Sequence, residues 1–392
     1  MELVNRQSDS LDKIDIKVDN VNCKYFGECG ACRVYEDGYE HQLSLKADIN
    51  QDRFRPYYDG VISLFRSPES HYRSRSEFKI WHTDDDIHYA MNRIDKSGVL
   101  LIDECPQVSE PIAALMPKLL DAIKKHDIGF KLFGADFLSS TRGETVVSLL
   151  YHRKLDEQWR EIVQSIASEL GVYIIGRSRG QKLVVGQDYV TEHLDVDGME
   201  FRFNYIENSF TQPNSKVNEQ MLSWALKNLP KSESDLLELY CGAGNFTIPF
   251  SLKFRKVLAT EISKSSINAA KVNMKLNSVN NIEFVRMSVE EFVQALDGVR
   301  EFNRMRDVDI KSYDIKTIFV DPPRSGMDEA TCEFASRYDN ILYISCNPET
   351  LARDLDTLCK THSVSDMALF DQFPYTHHAE MGVRLIRKGS AL

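Results

Sequence analysis

The sequence predicts an α/β fold: an open, Rossmann-like sheet of seven strands in the C-terminal half, preceded by a separate α+β module. Three observations carry this expectation. From residue 235 onward short apolar runs alternate with helical patterns, as an open parallel sheet wrapped by helices requires. A Gly-x-Gly turn follows the first of those runs, and the last two runs lie close enough in sequence to close the sheet as a hairpin. The middle of the chain mixes strands and helices in another rhythm.

In chain order, the first twenty residues (MELVNRQSDSLDKIDIKVDN) are polar and are expected to fray. HYRSRSEFKIWH (71–82), VVSLLYH (146–152), VYIIGRS (172–178) and MEFRFNY (199–205) read as strands of the middle module, with helices around 111–125 and 155–169. Seven further runs supply the C-terminal sheet: DLLELY (235–240), KVLATEI (256–262), IEFVRM (282–287), TIFVDPP (317–323), ILYISC (341–346), MALFDQF (367–373) and GVRLIR (382–387). Between them, SKSSINAAKVNMKL (263–276) opens on a serine N-cap, and NPETLARDLDTLC (347–359) begins Asn-Pro-Glu, the order a helix start prefers. The expected units are a segment over 1–40, an α+β domain over 41–205 and the α/β domain over 206–392.

Composition narrows the classes. A chain of 392 residues is long for one domain. Hydrophobic residues at 42% and aromatics at 10% are ordinary for a globular protein, and no apolar run approaches the roughly 18 residues of a membrane span. The N-terminus lacks the order of a secretory signal, so a cytoplasmic location is expected, where disulfides are rare. A net charge of −11 is the opposite of the footprint of a protein that grips nucleic acid by charge alone. Any RNA binding must come from local basic and aromatic surfaces. The eight cysteines, at 23, 29, 32, 105, 241, 332, 346 and 359, then point to metal binding, catalysis or core filling.

ELYCGAGNF (238–246) places Gly242 and Gly244 at a strand-to-helix turn, where a backbone without side chains lets a ligand come close. Glu261 stands at the tip of the next strand, where a carboxylate accepts hydrogen bonds from ribose hydroxyls. Together they indicate a nucleoside cofactor. Asp321-Pro-Pro-Arg324 ends the fourth strand and forms a rigid corner that a dinucleotide enzyme does not need. It favours S-adenosylmethionine; standing alone, it would be a turn after a buried strand.

Methylating carbon 5 of a uracil requires a thiolate to add to carbon 6 and a base to remove the carbon-5 proton afterwards. The sequence offers both groups. Cys346, in SCNP (345–348), lies between a buried strand and a helix start, where free N–H groups favour a thiolate. Cys241, Cys332 and Cys359 read as core cysteines. Glu380 stands directly before the last strand as the candidate base, and Arg324 is expected to hold the enolate oxygen or position the base. His377 and His378 are adjacent, a poor arrangement for a shared metal, and are expected to make structural or substrate contacts.

The segments SPESHYRSRSEFKIWH (67–82), ENSFTQPN (207–214), LLELYCGAGNF (236–246), GVREFNR (298–304), IFVDPPRSG (318–326), YISCNPETL (343–351) and LFDQFPYTHHAEMG (369–382) resemble the RNA uracil-C5 methyltransferase family, in particular its tRNA branch. The resemblance covers nearly everything from residue 66 onward. It implies a class I S-adenosylmethionine-dependent methyltransferase that makes 5-methyluridine at position 54 of the tRNA T loop without a metal in the transfer; a monomer is the expectation for the chain, although the sequence does not give the oligomeric state. It implies cofactor contacts at Gln212, Tyr240, Asn245, Glu261 and Asp321, with Cys346 as nucleophile and Glu380 as proton acceptor. Arg73, Arg75 and Phe133 would grip the T arm, with the target base flipped out of the loop.

One feature departs from the tRNA branch. Cys23, Cys29 and Cys32, with Cys105 farther on, resemble the 4Fe–4S ligands of the ribosomal-RNA branch. A structural zinc or free thiols are the alternatives. A cluster there would pin the N-terminal segment to the middle module. The cysteines also keep a 23S ribosomal RNA uridine open as the substrate, and a tRNA-binding or folding factor is the reading from another class.

Overall fold

A computed structural model describes residues 23–34, 37–84, 86–230 and 233–389, so the fraying expected of the first twenty residues lies outside the described ones. The chain begins with α1 (Gly38–Phe54) and the short β1 (Ser63–Phe65). The middle module follows as β2 (Arg75–His82), β3 (Ile87–Asn92), β4 (Val99–Ile102), α2 (Glu110–Lys125), β5 (Leu132–Ser139), β6 (Thr145–Tyr151), α3 (Glu157–Leu170), β7 (Tyr173–Ser178) and β8 (Gln181–Val185). Its sheet runs β4-β3-β2-β5-β6-β7-β8. Only β6 and β7 are parallel, because α3 carries the chain back between them. Asp156 caps α3 by accepting from the Trp159 N–H, and Gly171 ends it in the left-handed conformation. Ile112, Leu119, Val163 and Ile166 of the two helices cover Phe137, Leu149 and Ile174 of the sheet. At Gly176 a Cβ would lie 2.3 Å from the Trp159 ring, so the close seat of α3 needs a glycine there.

β9 (Tyr189–Val196) and β10 (Met199–Ile206) pair as an antiparallel ribbon and lead into α4 (Ser215–Asn228). The C-terminal unit then alternates β11 (Asp235–Leu239), α5 (Thr247–Phe250), β12 (Val257–Thr260), α6 (Lys264–Leu276), β13 (Ile282–Val285), α7 (Val289–Leu296), β14 (Ile315–Val320), α8 (Glu329–Ala335), β15 (Asn340–Ser345), α9 (Pro348–Leu358), β16 (His362–Phe370) and β17 (Glu380–Arg387). The strand order is β1-β16-β17-β15-β14-β11-β12-β13, with β17 antiparallel between β15 and β16. All seven expected strands are present. Successive side chains point to opposite faces: Leu236, Phe319 and Leu342 enter one core layer, Leu237, Ile318 and Ile341 the other.

The eighth strand is β1. Ser63–Phe65 lies within the span expected for the middle domain, yet it pairs in parallel with β16, Ser63 against Ala368. It covers a sheet edge that would otherwise be bare, and α1 lies beside α9. β11 is flanked by β12 and β14, whose connections leave in opposite directions, which opens a crevice outside the carboxyl ends of β11 and β14. Among the described residues no helix is long and apolar enough to cross a membrane.

Candidate active site

After Leu239 the chain turns through Tyr240 (φ 63), Gly242 (φ 54) and Gly244 (φ 87), all left-handed. The conformation is free for glycine and strained for tyrosine. A Cβ built on Gly242 meets nothing within 4 Å, so backbone conformation, not space, requires the glycine, and the turn stays open to a ligand. Glu261 is fixed by two backbone N–H groups, Gly242 at 3.1 Å and Ser263 at 2.7 Å. Each oxygen keeps a lone pair for a hydroxyl. Asn245 exchanges amide hydrogen bonds with Asn218 of α4, 2.9 Å each way. The Gln212 side-chain oxygen accepts from Gln372 at 2.7 Å. Asp321, at the end of β14, is partly exposed at the crevice but its carboxyl is crowded by protein, and this desolvation pushes it up to about 7. A turn with two left-handed glycines, a fixed carboxylate and convergent amides fits a nucleoside bearing a charged substituent. The Tyr240 ring goes elsewhere, into the core layer beside Thr331 of α8.

Cys346 follows β15 directly. Asn347 caps α9 by accepting from the Glu349 N–H at 3.1 Å, with Pro348 in the first turn. The same Asn347 donates to the Arg324 carbonyl at 3.0 Å, which ties the Asp-Pro-Pro-Arg corner to the cysteine's helix. Arg324 Nη2 lies 2.9 Å from His378 Nδ1. A guanidinium can only donate, so this imidazole is the acceptor, and burial and then Arg324 lower its pKa. Glu380 opens β17 and is buried, 3% exposed.

These neighbours work against the thiolate that the helix start favours. Burial first, then Glu380 and Asp321, push the Cys346 thiol up to about 11, against the opposing pull of Arg324. Two carboxyls in a desolvated site outweigh one guanidinium and a helix start. Glu380 is also pushed well above the carboxylate range, by burial and then by Asp321. Cys346 opens into a groove of about 470 Å³ whose far wall is α1, through Leu45, Lys46 and Ile49. Nothing in the sequence pointed to that wall. Gln372, inside the 369–382 motif, and Asn218 hold Gln212 and Asn245 in place through partners far apart in sequence, which no local pattern reveals.

Cys23, Cys29, Cys32 and Cys105 line one cavity of about 830 Å³, together with Arg73 and Arg75. Burial raises the Cys32 pKa most, and the other three thiols raise it further. Among the described residues no three His, Cys, Asp or Glu side chains converge as a metal site, the four cysteines and His377 and His378 included. Arg73 donates to the Arg75 carbonyl at 2.8 Å within its own segment, whereas Arg75 donates to the Ser209 carbonyl and so braces the 207–214 segment against the middle module. Phe133, 39% exposed, stacks on His152 with centroids 4.0 Å apart and planes 13° apart. Arg153, Lys154 and Arg179 surround this pair.

The strand order, the glycine turn and the nucleoside crevice define an S-adenosylmethionine-dependent methyltransferase with the Rossmann-like α/β fold. The family model for tRNA (uracil-5-)-methyltransferase matches residues 38–388. The chain belongs to that family. It is 73% identical over 369 residues to a tRNA/tmRNA (uracil-C(5))-methyltransferase of Sulfurimonas denitrificans, covering 94% of this chain and 100% of the relative. A relative of the same description from Pseudomonas aeruginosa is 50% identical over 353 residues, covering 89% and 97%. Among solved structures, a Pyrococcus abyssi tRNA (uracil-54, C5)-methyltransferase in complex with S-adenosyl-L-homocysteine shares the fold, with a TM-score of 0.68 at 22% identity over 89% of this chain and 84% of that one. The family match begins after Cys23, Cys29 and Cys32.

Proposed function

We propose that the chain transfers a methyl group from S-adenosylmethionine to carbon 5 of uridine-54 in the tRNA T loop, as a cytoplasmic monomer. The observation that carries this reading is the grouping of Cys346, Glu380, Asp321 and Arg324 around one crevice. S-adenosylmethionine, held by Gln212, the 242–245 turn, Glu261 and Asp321, supplies an electrophilic methyl and a positive charge that favours the ionised forms of Cys346 and the carboxylates. The Cys346 sulfur bonds to carbon 6, and the displaced π pair makes carbon 5 nucleophilic while Arg324 steadies charge on the ring oxygen. Once carbon 5 carries the methyl, Glu380 takes its proton. The carbon 5–carbon 6 double bond re-forms and the sulfur–carbon 6 bond breaks, returning the thiolate. The Phe133–His152 stack, ringed by cations, gives unpaired T-arm bases a platform, with Arg73 and Arg75 nearer the cleft.

For the four cysteines we read a 4Fe–4S cluster. The reading rests on the spacing of Cys23, Cys29 and Cys32 with Cys105 farther on, which resembles a four-thiolate cluster set, and on their lining of one cavity. Its contribution is structural. Iron and sulfide analysis of anaerobically purified protein tests this, and colourless protein with one zinc per chain would refute it.

The test of the main reading is mapping of 5-methyluridine in RNA methylated by the purified protein. The expected site is the T loop of tRNA. Incorporation only into 23S fragments would move the substrate to ribosomal RNA. If a Cys346→Ala strain kept every tRNA-dependent phenotype of wild type, a binding or folding role would replace catalysis.

A further inference from the structure

One residue of the segment between β16 and β17 is gripped by residues of 26–34 and 39–43. Tyr375 holds a left-handed backbone, φ 60, a strained conformation for a bulky side chain that persists only where its surroundings over-determine it. Its N–H donates to Gln42 Oε1 at 3.2 Å. Its carbonyl accepts from the N–H groups of Arg33 at 2.8 Å and Val34 at 3.1 Å. Its ring is 2% exposed and packs with Cys32, Leu43, Tyr39 at 6.0 Å and Phe26 at 5.6 Å. The other side of the same segment is fastened to the middle module. The Gly30 N–H donates to the Asn92 carbonyl at 2.9 Å, the Ile94 N–H to the Glu28 carbonyl at 2.8 Å, and the Tyr25 hydroxyl to Asp103 at 2.7 Å.

What Tyr375 does is felt downstream. Thr376 donates to the Phe373 carbonyl at 2.8 Å and accepts from the His378 N–H at 3.2 Å, closing the turn that delivers His378 to Arg324 and Glu380 to the head of β17. We propose that Tyr375 is a positioning residue: the clasp of residues 26–34 and 39–43 holds it in its left-handed turn, and so sets Glu380 for removal of the carbon-5 proton. This rests on the uracil-C5 reading above. Because the clasp also grips the middle module, it fixes the distance between the surface that receives RNA and the carboxylate that finishes the reaction.

The test is Phe26→Ala in the full chain, assayed with T-arm RNA and S-adenosylmethionine. A base displaced by a fraction of an ångström should lower kcat by about tenfold or more. KM for RNA and affinity for S-adenosylmethionine should stay within about twofold. The sulfur–carbon 6 bond breaks only after the proton leaves, so an SDS-stable protein–RNA adduct on ordinary uracil should accumulate. Phe26→Leu should restore turnover and clear the adduct. Should the alanine variant not fold, Tyr375→Gly accepts the backbone conformation while losing the ring's grip, and the same adduct is expected. Unchanged turnover in the variant, or lost turnover without adduct, overturns the clasp. A wild-type chain that makes no 5-methyluridine in tRNA overturns the parent reading instead.

Discussion

Cys346 rests between two carboxyls and one guanidinium, and its thiol lies near 11 with Asp321 near 7. The free enzyme therefore holds its nucleophile protonated, and kcat/KM for methyl transfer should climb from pH about 6, where Asp321 begins to ionise, and go on rising past pH about 9 toward the Cys346 value of about 11. A flat profile in that range would contradict the site's electrostatics. Cys346→Ala should lower methyl transfer by at least about 10³-fold and leave S-adenosylmethionine binding intact by calorimetry. Asp321 also carries a stability signature. Its folded-state pKa is raised from 3.8 to about 7, so the stability it lends is full below pH 3.8 and is lost as pH rises through about 7. Asp321→Asn should melt higher than wild type at pH about 8, with the gap closing near pH 4. The motifs made Cys346, Glu380 and Asp321 legible in the sequence. Their protonation was not, because it depends on how closely three distant segments enclose them.

At the scale of elements, α1 behaves as part of the catalytic unit. Lys46, buried, meets Asp371 at 2.6 Å and the Phe373 carbonyl at 2.8 Å, and Gln42 donates to Asp371 at 2.9 Å. Lys46→Ala would leave a buried carboxylate unpaired at the end of β16, which should cost about 3–5 kcal/mol in denaturant unfolding. Lys46→Met with Asp371→Leu should recover most of that loss. The strands of the C-terminal sheet were legible because each is a run of apolar residues between helices, as burial on both faces demands. β3, β4 and β8 escaped because they are 6, 4 and 5 residues long with mixed burial. β5 escaped because Gly134 and Asp136 interrupt a strand at the centre of its sheet. α1 shows no apolar stripe at all; its buried face is made of Gln42, Lys46 and Asn50 as much as Tyr39, Leu43 and Phe54. Such a face is stabilised by specific polar partners far along the chain, which periodicity cannot reveal.

For the whole molecule, the net charge is negative while the exposed Phe133–His152 stack is ringed by Arg153, Lys154 and Arg179, the surface proposed above to receive RNA. Phe133→Ala should raise KM for T-arm RNA by about tenfold with little change in kcat, given the usual strength of base stacking. Lys154→Ala and Arg179→Ala should each weaken binding and lower the salt slope by about 1. Equal methylation of T-arm RNA by the Phe133 variant would remove the stack from the binding surface. The pairing of β1 with β16 reaches beyond equilibrium structure. On the ribosome, Ser63 is made about 300 residues before its partner Ala368, a wait of roughly 15–60 s at ~5–20 residues per second. The middle module is complete by Val185 and can fold during that interval. β1 and α1 stay tethered to it as a nascent arm with unsatisfied edge groups until β16 is made. The arrival of β16 is thus also the event that completes the nucleophile's groove, so a chain released before it would carry the middle module without a working catalytic centre.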